Sequence, residues 1–194
     1  MPTENDPRFL RSREAILHAA RDLLLERGPA AVTHVQVAER AAVGRATVYR
    51  HWPRAELLLM EAMATVPMPF FSDPTVPTRD WLRRELTAIA RQLDLDDVRA
   101  VSTTLAGTAL WDTDMDARRA QFAGVLTDRL AAALDGAQTR GEITLAIPSR
   151  DAAALAIGPM YYRSTIEHSP TGTNLIEATI EALGTWSTAS SPRQ

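Results

Sequence analysis

The chain has 194 residues, 45% of them hydrophobic and 23% charged, with a formal net charge of -3. That balance excludes disorder as the default, and it excludes a chain that holds nucleic acid by bulk positive charge alone. Cysteine is absent, which removes disulfides, thiolate metal sites and cysteine nucleophiles, and every basic residue is arginine.

Charge is nonetheless uneven along the chain. Residues 1–60 carry nine Arg against seven Asp plus Glu, whereas residues 61–194 carry twelve against seventeen. A basic end joined to an acidic body points to phosphate as a partner of the first part only. The start, MPTENDPRFLRSR, has no apolar stretch of the kind that directs export. The longest near-apolar run, Ala152 to Tyr162, falls short of the ~18 residues a membrane span needs. These features predict a cytoplasmic protein with no membrane partner.

In chain order, residues 1–10 read as a flexible arm, with Arg8 and the adjoining Arg11 following a DNA backbone or the minor groove, or as a solvated tail. From Ser12 to Arg27, Ile16, Ala19, Ala20, Leu23 and Leu24 recur at helical spacing, with Ser12 as N-cap and Gly28-Pro29 as the stop. After a short turn over Ala30 to Val32 comes the stretch VQVAERAAVGRATVYRH, residues 35–51. Its first half is a helix of about two turns with Val35, Val37, Ala38, Ala41 and Ala42 on one side. Val43 turns inward and Gly44 breaks the run. In the second half Arg45, Thr47, Tyr49, Arg50 and His51 surround one apolar residue, Val48. A helix with a narrow buried face and a wide polar one suits the DNA major groove, where side chains must meet base edges and phosphates.

Pro53 opens a further helix, Arg54 to about Thr65, whose LLLMEAM run is apolar enough to pack on both sides. Four prolines then make residues 66–78 a loop. Helical patterns follow over Asp80–Leu93, Val98–Trp111, Met115–Thr139, Arg150–His168 and Asn174–Trp186. Glu142 to Ile147 alternates like a strand but is too short and isolated to predict a sheet. The tail from Thr188 to Gln194 reads as frayed.

At the residues just described the chain resembles the tetracycline-repressor (TetR) family of one-component transcriptional regulators. The likeness runs through RSREAILHAARDLLLERG, the Val32-Thr33 entry, the helix-turn-helix, and Tyr49-Arg50-His51-Trp52-Pro53 followed by Glu56-Leu57-Leu58. Two positions depart from the family pattern. The usual Gly-Val-Ser turn is Ala42-Val43-Gly44 here, so a glycine caps the recognition helix instead of a serine. The usual lysine after the aromatic-proline step is Ala55, with Arg54 beside it.

The resemblance implies contacts from Thr33 and His34 to phosphate, and it adds Gln36 and Ala46 to the DNA-facing set. By their chemistry, Arg45 would read guanine bidentately, Thr47 a thymine methyl or a phosphate, Tyr49 and His51 phosphates, and Arg50 either. In family members the second domain encloses a ligand cavity. Here the candidates for its walls are Trp81, Trp111, Phe122, Met160, Tyr161 and Arg163, near a kink at Pro159, with core packing as the other reading of each aromatic. Arg163 is the expected buried charge. The last two helices correspond to the family's dimerising pair, and their apolar content exceeds what one face needs.

Enzyme readings lack support. Asp112-Thr113-Asp114-Met115-Asp116 fails as a calcium loop because Ala117 and Ala123 stand where glycine and glutamate are required, and acidic residues at a helix start explain it better. His18, His34, His51 and His168 are scattered, and no metal or cofactor is expected. The sequence thus predicts an all-α protein: a three-helix helix-turn-helix domain over residues 1–53 and a helical ligand-binding and dimerisation domain over 54–194. Its predicted partners are palindromic operator DNA, a small-molecule effector and a second copy of itself. A helical-bundle enzyme or small-molecule carrier with a vestigial DNA-binding motif is the alternative.

Overall fold

A computed structural model describes residues 7–187. Among them are nine α-helices and one two-stranded sheet, so the all-α expectation holds. Of the arm expected over residues 1–10, residues 1–6 lie outside the described residues, as does the tail 188–194, and Pro7 to Leu10 belong to the first helix and not to an arm.

The chain divides into two compact units, one of residues 1–67 with 96–108 and the other of residues 68–95 with 109–194. In the first, α1 runs Pro7–Arg27. It therefore starts five residues ahead of the expected cap, and Ser12 is an interior residue whose hydroxyl donates back to the Phe9 carbonyl at 2.9 Å. Ile16, Leu17, Ala19, Ala20, Leu23 and Leu24 form the buried stripe. Gly28 ends the helix at φ 79°, donating its N–H to the Leu24 carbonyl at 2.9 Å. A single 3-10 turn, Pro29–Ala31, leads into α2 (His34–Arg40) and α3 (Arg45–His51).

α4 (Ala55–Ala64) packs on α1 and buries Leu58, Leu59, Ala62 and Met63. α6 (Asp96–Thr108) joins the same unit, with Arg21 of α1 donating to Asp97 at 2.5 Å. The compact units thus do not coincide with residues 1–53 and 54–194. An apolar face on α4 and an amphipathic α6 both find their partner on α1, a long-range choice that local pattern does not record.

In the second unit, α5 (Thr78–Leu93) buries Trp81, Leu82, Leu86, Ile89, Ala90 and Leu93 along one face. It packs against α8 (Ser149–Tyr161) and α9 (Thr173–Ala182), and α7 (Thr113–Thr139) lies along α8. Asp112 caps α7 by accepting from the Met115 N–H at 2.9 Å, as expected of an acidic helix start. Pro159 sits inside α8, which widens into a π turn over Tyr162–Ile166. The buried Ser164 hydroxyl there donates to the Leu93 carbonyl at 2.5 Å.

Two further helix ends and a pair of short strands differ from expectation. α6 stops at Thr108, so Leu110 and Trp111 lie in the following turn. α9 stops at Ala182, and Gly184–Trp186 forms β2, which pairs antiparallel with β1, Ile143–Leu145, in the register Ile143 to Trp186. The strand-like alternation at 142–147 does make a small sheet, because its partner comes from forty residues away in sequence. Gly184 permits that approach, since a Cβ there would overlap the Thr144 carbonyl oxygen.

Candidate nucleic-acid interface

Local signals place the helix-turn-helix. The Thr33 hydroxyl caps α2, accepting from the Gln36 N–H at 3.2 Å. Between the helices, Ala42 takes φ 53°, a left-handed conformation that non-glycine residues adopt at a cost. The Val43 N–H returns to the Ala38 carbonyl at 3.0 Å. Gly44 precedes α3 in an extended conformation and supplies no side-chain cap.

Of the seven residues in α3 only Val48 is buried. Arg45, Ala46, Tyr49 and Arg50 are exposed, and their spacing of one, three and one keeps them on a single side of the helix. Thr47 is half-buried. Arg45 stands 3.7 Å from Glu39 at the end of α2, with both side chains largely exposed, so that pairing is weak and easily exchanged. The structure thus brings four of the expected DNA-facing residues into one stripe, with Thr33 and Gln36 at the start of α2.

The two histidines sit differently. His34 is buried, its Nε2 lying 2.7 Å from the Trp52 carbonyl, which requires that nitrogen to carry the proton. Its ring stacks on Tyr49 at 3.9 Å between centroids, the planes 8° apart. His51 turns toward α1, 4.2 Å from the Phe9 ring and with Nε2 3.4 Å from the Ser12 hydroxyl. Burial, then the charges of Arg50 and Arg13, hold its pKa below the usual histidine value. Both rings thus make contacts within the unit, His34 from a buried position and His51 from a half-buried one.

Trp52, Glu61 and Arg13 carry no role that the sequence alone assigns. Trp52, which follows α3 and is 3% exposed, donates its indole N–H to Glu61 of α4 at 2.5 Å. Arg13 pairs with the same carboxylate and lies 5.7 Å over the Trp52 ring. A signal was present: Glu61 is the one charged residue between Leu57 and Met63. An open groove of about 400 Å³ also lies between α1 and α2, lined by Leu23, Arg27, Gln36, Glu39 and Arg40.

The residues expected to line an effector cavity are scattered in exposure. Trp81 is 1% exposed, with its ring 5.8 Å from Phe71, and Met160 is fully buried. Phe122 and Tyr161 are half-buried, Phe122 meeting Phe70 edge-on at 5.4 Å. Trp111 is 89% exposed and forms no wall, because α6 ends before it. Arg163 is not a buried charge: its side chain is 41% exposed and donates to Glu167 at 2.5 Å, one helical turn on. Among the described residues no helix is long and apolar enough to cross a membrane, and no cluster of His, Asp or Glu could hold a metal ion.

Comparison with known proteins agrees with this geometry. Residues 16–62 match the family model described as bacterial regulatory proteins, tetR family. Residues 74–183 match a second, the tetracyclin repressor-like C-terminal domain. An uncharacterized HTH-type transcriptional regulator of Bacillus subtilis (strain 168), YdeS, is 28% identical over 165 residues, 82% of this chain and 81% of the relative. Among solved structures, NalD of Pseudomonas aeruginosa, the secondary repressor of the MexAB-OprM multidrug efflux pump, superposes with a TM-score of 0.69. That match is at 20% identity over 90% of this chain and 97% of NalD. GusR of Salmonella enterica gives 0.64 at 20% identity, over 91% of this chain and 90% of GusR. At such identities the structural likeness is one of fold.

Proposed function

The chain belongs to the TetR family of bacterial transcriptional regulators, and from that premise we propose that it works as an effector-released repressor on a palindromic operator. The observation that carries this reading is the exposed stripe Arg45, Ala46, Tyr49 and Arg50 on a helix that buries only Val48. Arg45 and Arg50 supply the donors that guanine and phosphate accept, and Tyr49 supplies a hydroxyl on a ring fixed by His34. Thr33, Gln36 and the half-buried Thr47 complete the DNA-facing set, and residues 1–53 are its functional module.

We assign dimerisation to α8, its π extension and α9. Leu155, Tyr162 and Ile166 are 39%, 54% and 66% exposed, and with Ala154 and Gly158 they leave an apolar strip facing water. α9 presents the small residues Ala178 and Ala182. A two-fold pairing buries such a strip and sets two copies of α3 on successive major grooves. Residues 54–194 carry the effector function in this reading. The half-buried Phe122 and Tyr161, with Met160, are the side chains assigned to the ligand, whose binding shifts the population away from the DNA-competent spacing.

Selection of bound duplexes from a random DNA pool tests the reading. Enrichment of a palindrome with half-sites about 10 base pairs apart, or a multiple of that, is expected. Recovery of unrelated sequences at the yield of the starting pool contradicts it.

A further inference from the structure

With one buried residue, α3 owes its direction less to apolar packing than to what its ends are tied to. Its C-terminal end is tied three times through Trp52. The backbone N–H of that residue closes on the Val48 carbonyl at 2.9 Å. Its carbonyl accepts from His34 of α2 at 2.7 Å, and its indole N–H donates to Glu61 of α4 at 2.5 Å. The other Glu61 oxygen takes the Arg13 guanidinium of α1. One carboxylate thereby joins α1, α4 and the end of α3.

We propose that Glu61 is a positioning residue for the recognition helix, fixing the tilt at which Arg45 and Tyr49 meet the major groove through its hydrogen bond to the Trp52 indole. The proposal deepens the DNA-reading assignment and rests on it. Its physical basis is the difference between two kinds of DNA contact. Bidentate base contacts tolerate little error in direction, whereas attraction to phosphate tolerates a good deal. A loosened α3 thus loses operator preference before it loses affinity for DNA in general. Glu61 differs from a core residue in that its side chain is 34% exposed, so replacement opens no sealed cavity.

The test uses the full chain, an operator recovered by selection and an unrelated duplex at the same salt. It compares wild type with Glu61→Ala, Glu61→Gln, Trp52→Phe and the Glu61→Ala, Trp52→Phe double variant. Glu61→Gln is the control for charge, since it removes the same charge as Glu61→Ala but keeps an oxygen to accept from the indole. The expected result is a loss of about tenfold in operator preference for Glu61→Ala and for Trp52→Phe, no further loss in the double variant, and recovery in Glu61→Gln. Affinity of Trp52→Phe for the unrelated duplex stays within about twofold of wild type. Circular dichroism confirms folding, and the Glu61→Ala against Glu61→Gln comparison decides the matter if Trp52→Phe does not fold. Wild-type preference in Glu61→Ala, an equal loss in Glu61→Gln, or additive losses in the double variant overturns the proposal. A wild-type protein without operator preference removes the DNA-reading assignment first, and this one with it.

Discussion

His34 stacks on Tyr49 with ring centroids 3.9 Å apart and planes 8° from parallel, while its Nε2 donates to the Trp52 carbonyl at 2.7 Å. A buried histidine on α2 thus holds both an exposed side chain of α3 and the residue that ends it. His34→Ala removes the stack and leaves the Trp52 carbonyl unpaired, at a cost of about 1–3 kcal/mol in stability. The accompanying expectation is a fall in operator affinity of about tenfold, because Tyr49 regains its rotamer freedom. A urea melt reads the first and a titration of operator DNA reads the second. An unchanged operator affinity means that Tyr49 needs no such support.

Ala42 holds φ 53° between α2 and α3, where a Cβ crowds the backbone. Ala42→Gly relieves that strain and gives back part of the gain as unfolded-chain entropy, for a net stabilisation of up to about 1 kcal/mol. The midpoint of urea unfolding should rise without a change in slope. A fall in the midpoint shows that the left-handed turn costs alanine nothing here.

His51 gives the first unit a pH dependence. Burial and then Arg50 and Arg13 place its folded pKa below the unfolded value of 6.5, so the unfolded chain binds the extra proton more readily. The stability associated with neutral His51 is present above pH 6.5 and is lost as pH falls through the folded pKa. Thermal melts between pH 7.5 and about pH 5 should show this decline, and His51→Gln should flatten it. A variant with the wild-type slope assigns the decline to carboxylates.

The apolar strip on α8 and its π extension can be tested by charge. Tyr162→Glu with Ile166→Glu puts two carboxylates where an interface between copies would lie. Sedimentation should show a monomer, with operator affinity down at least about a hundredfold because each half-site is then held singly. A dimer that survives both substitutions moves the interface elsewhere.

The helix-turn-helix was legible because its signals are local: the Thr33 cap, the Gly44 break and a lone apolar Val48 all act within a few residues. What escaped depends on distant partners. His34 and His51 are polar and lie in the right stretch, yet whether such a ring faces DNA or the core depends on Trp52, Phe9 and Ser12 across the unit. Trp111 continues the spacing of α6, but the helix ends at Thr108, before the Asp112 cap of α7, and leaves that ring in water. β1 and β2 are each three residues long, and neither is a strand without the other. Glu61 is the one charged residue of its apolar run, but its partners Trp52 and Arg13 come together only through the packing of α1 on α4.

The central claim is that α3 reads DNA sequence through its exposed stripe. The most direct test is a titration of the selected palindrome with wild type and with an Arg45→Ala, Tyr49→Ala variant, repeated on an unrelated duplex over a range of salt. Wild type should keep its preference for the palindrome as salt rises, and the variant should bind both duplexes alike, with a loss on the palindrome of about a hundredfold. Equal binding of the palindrome by wild type and variant would contradict that claim.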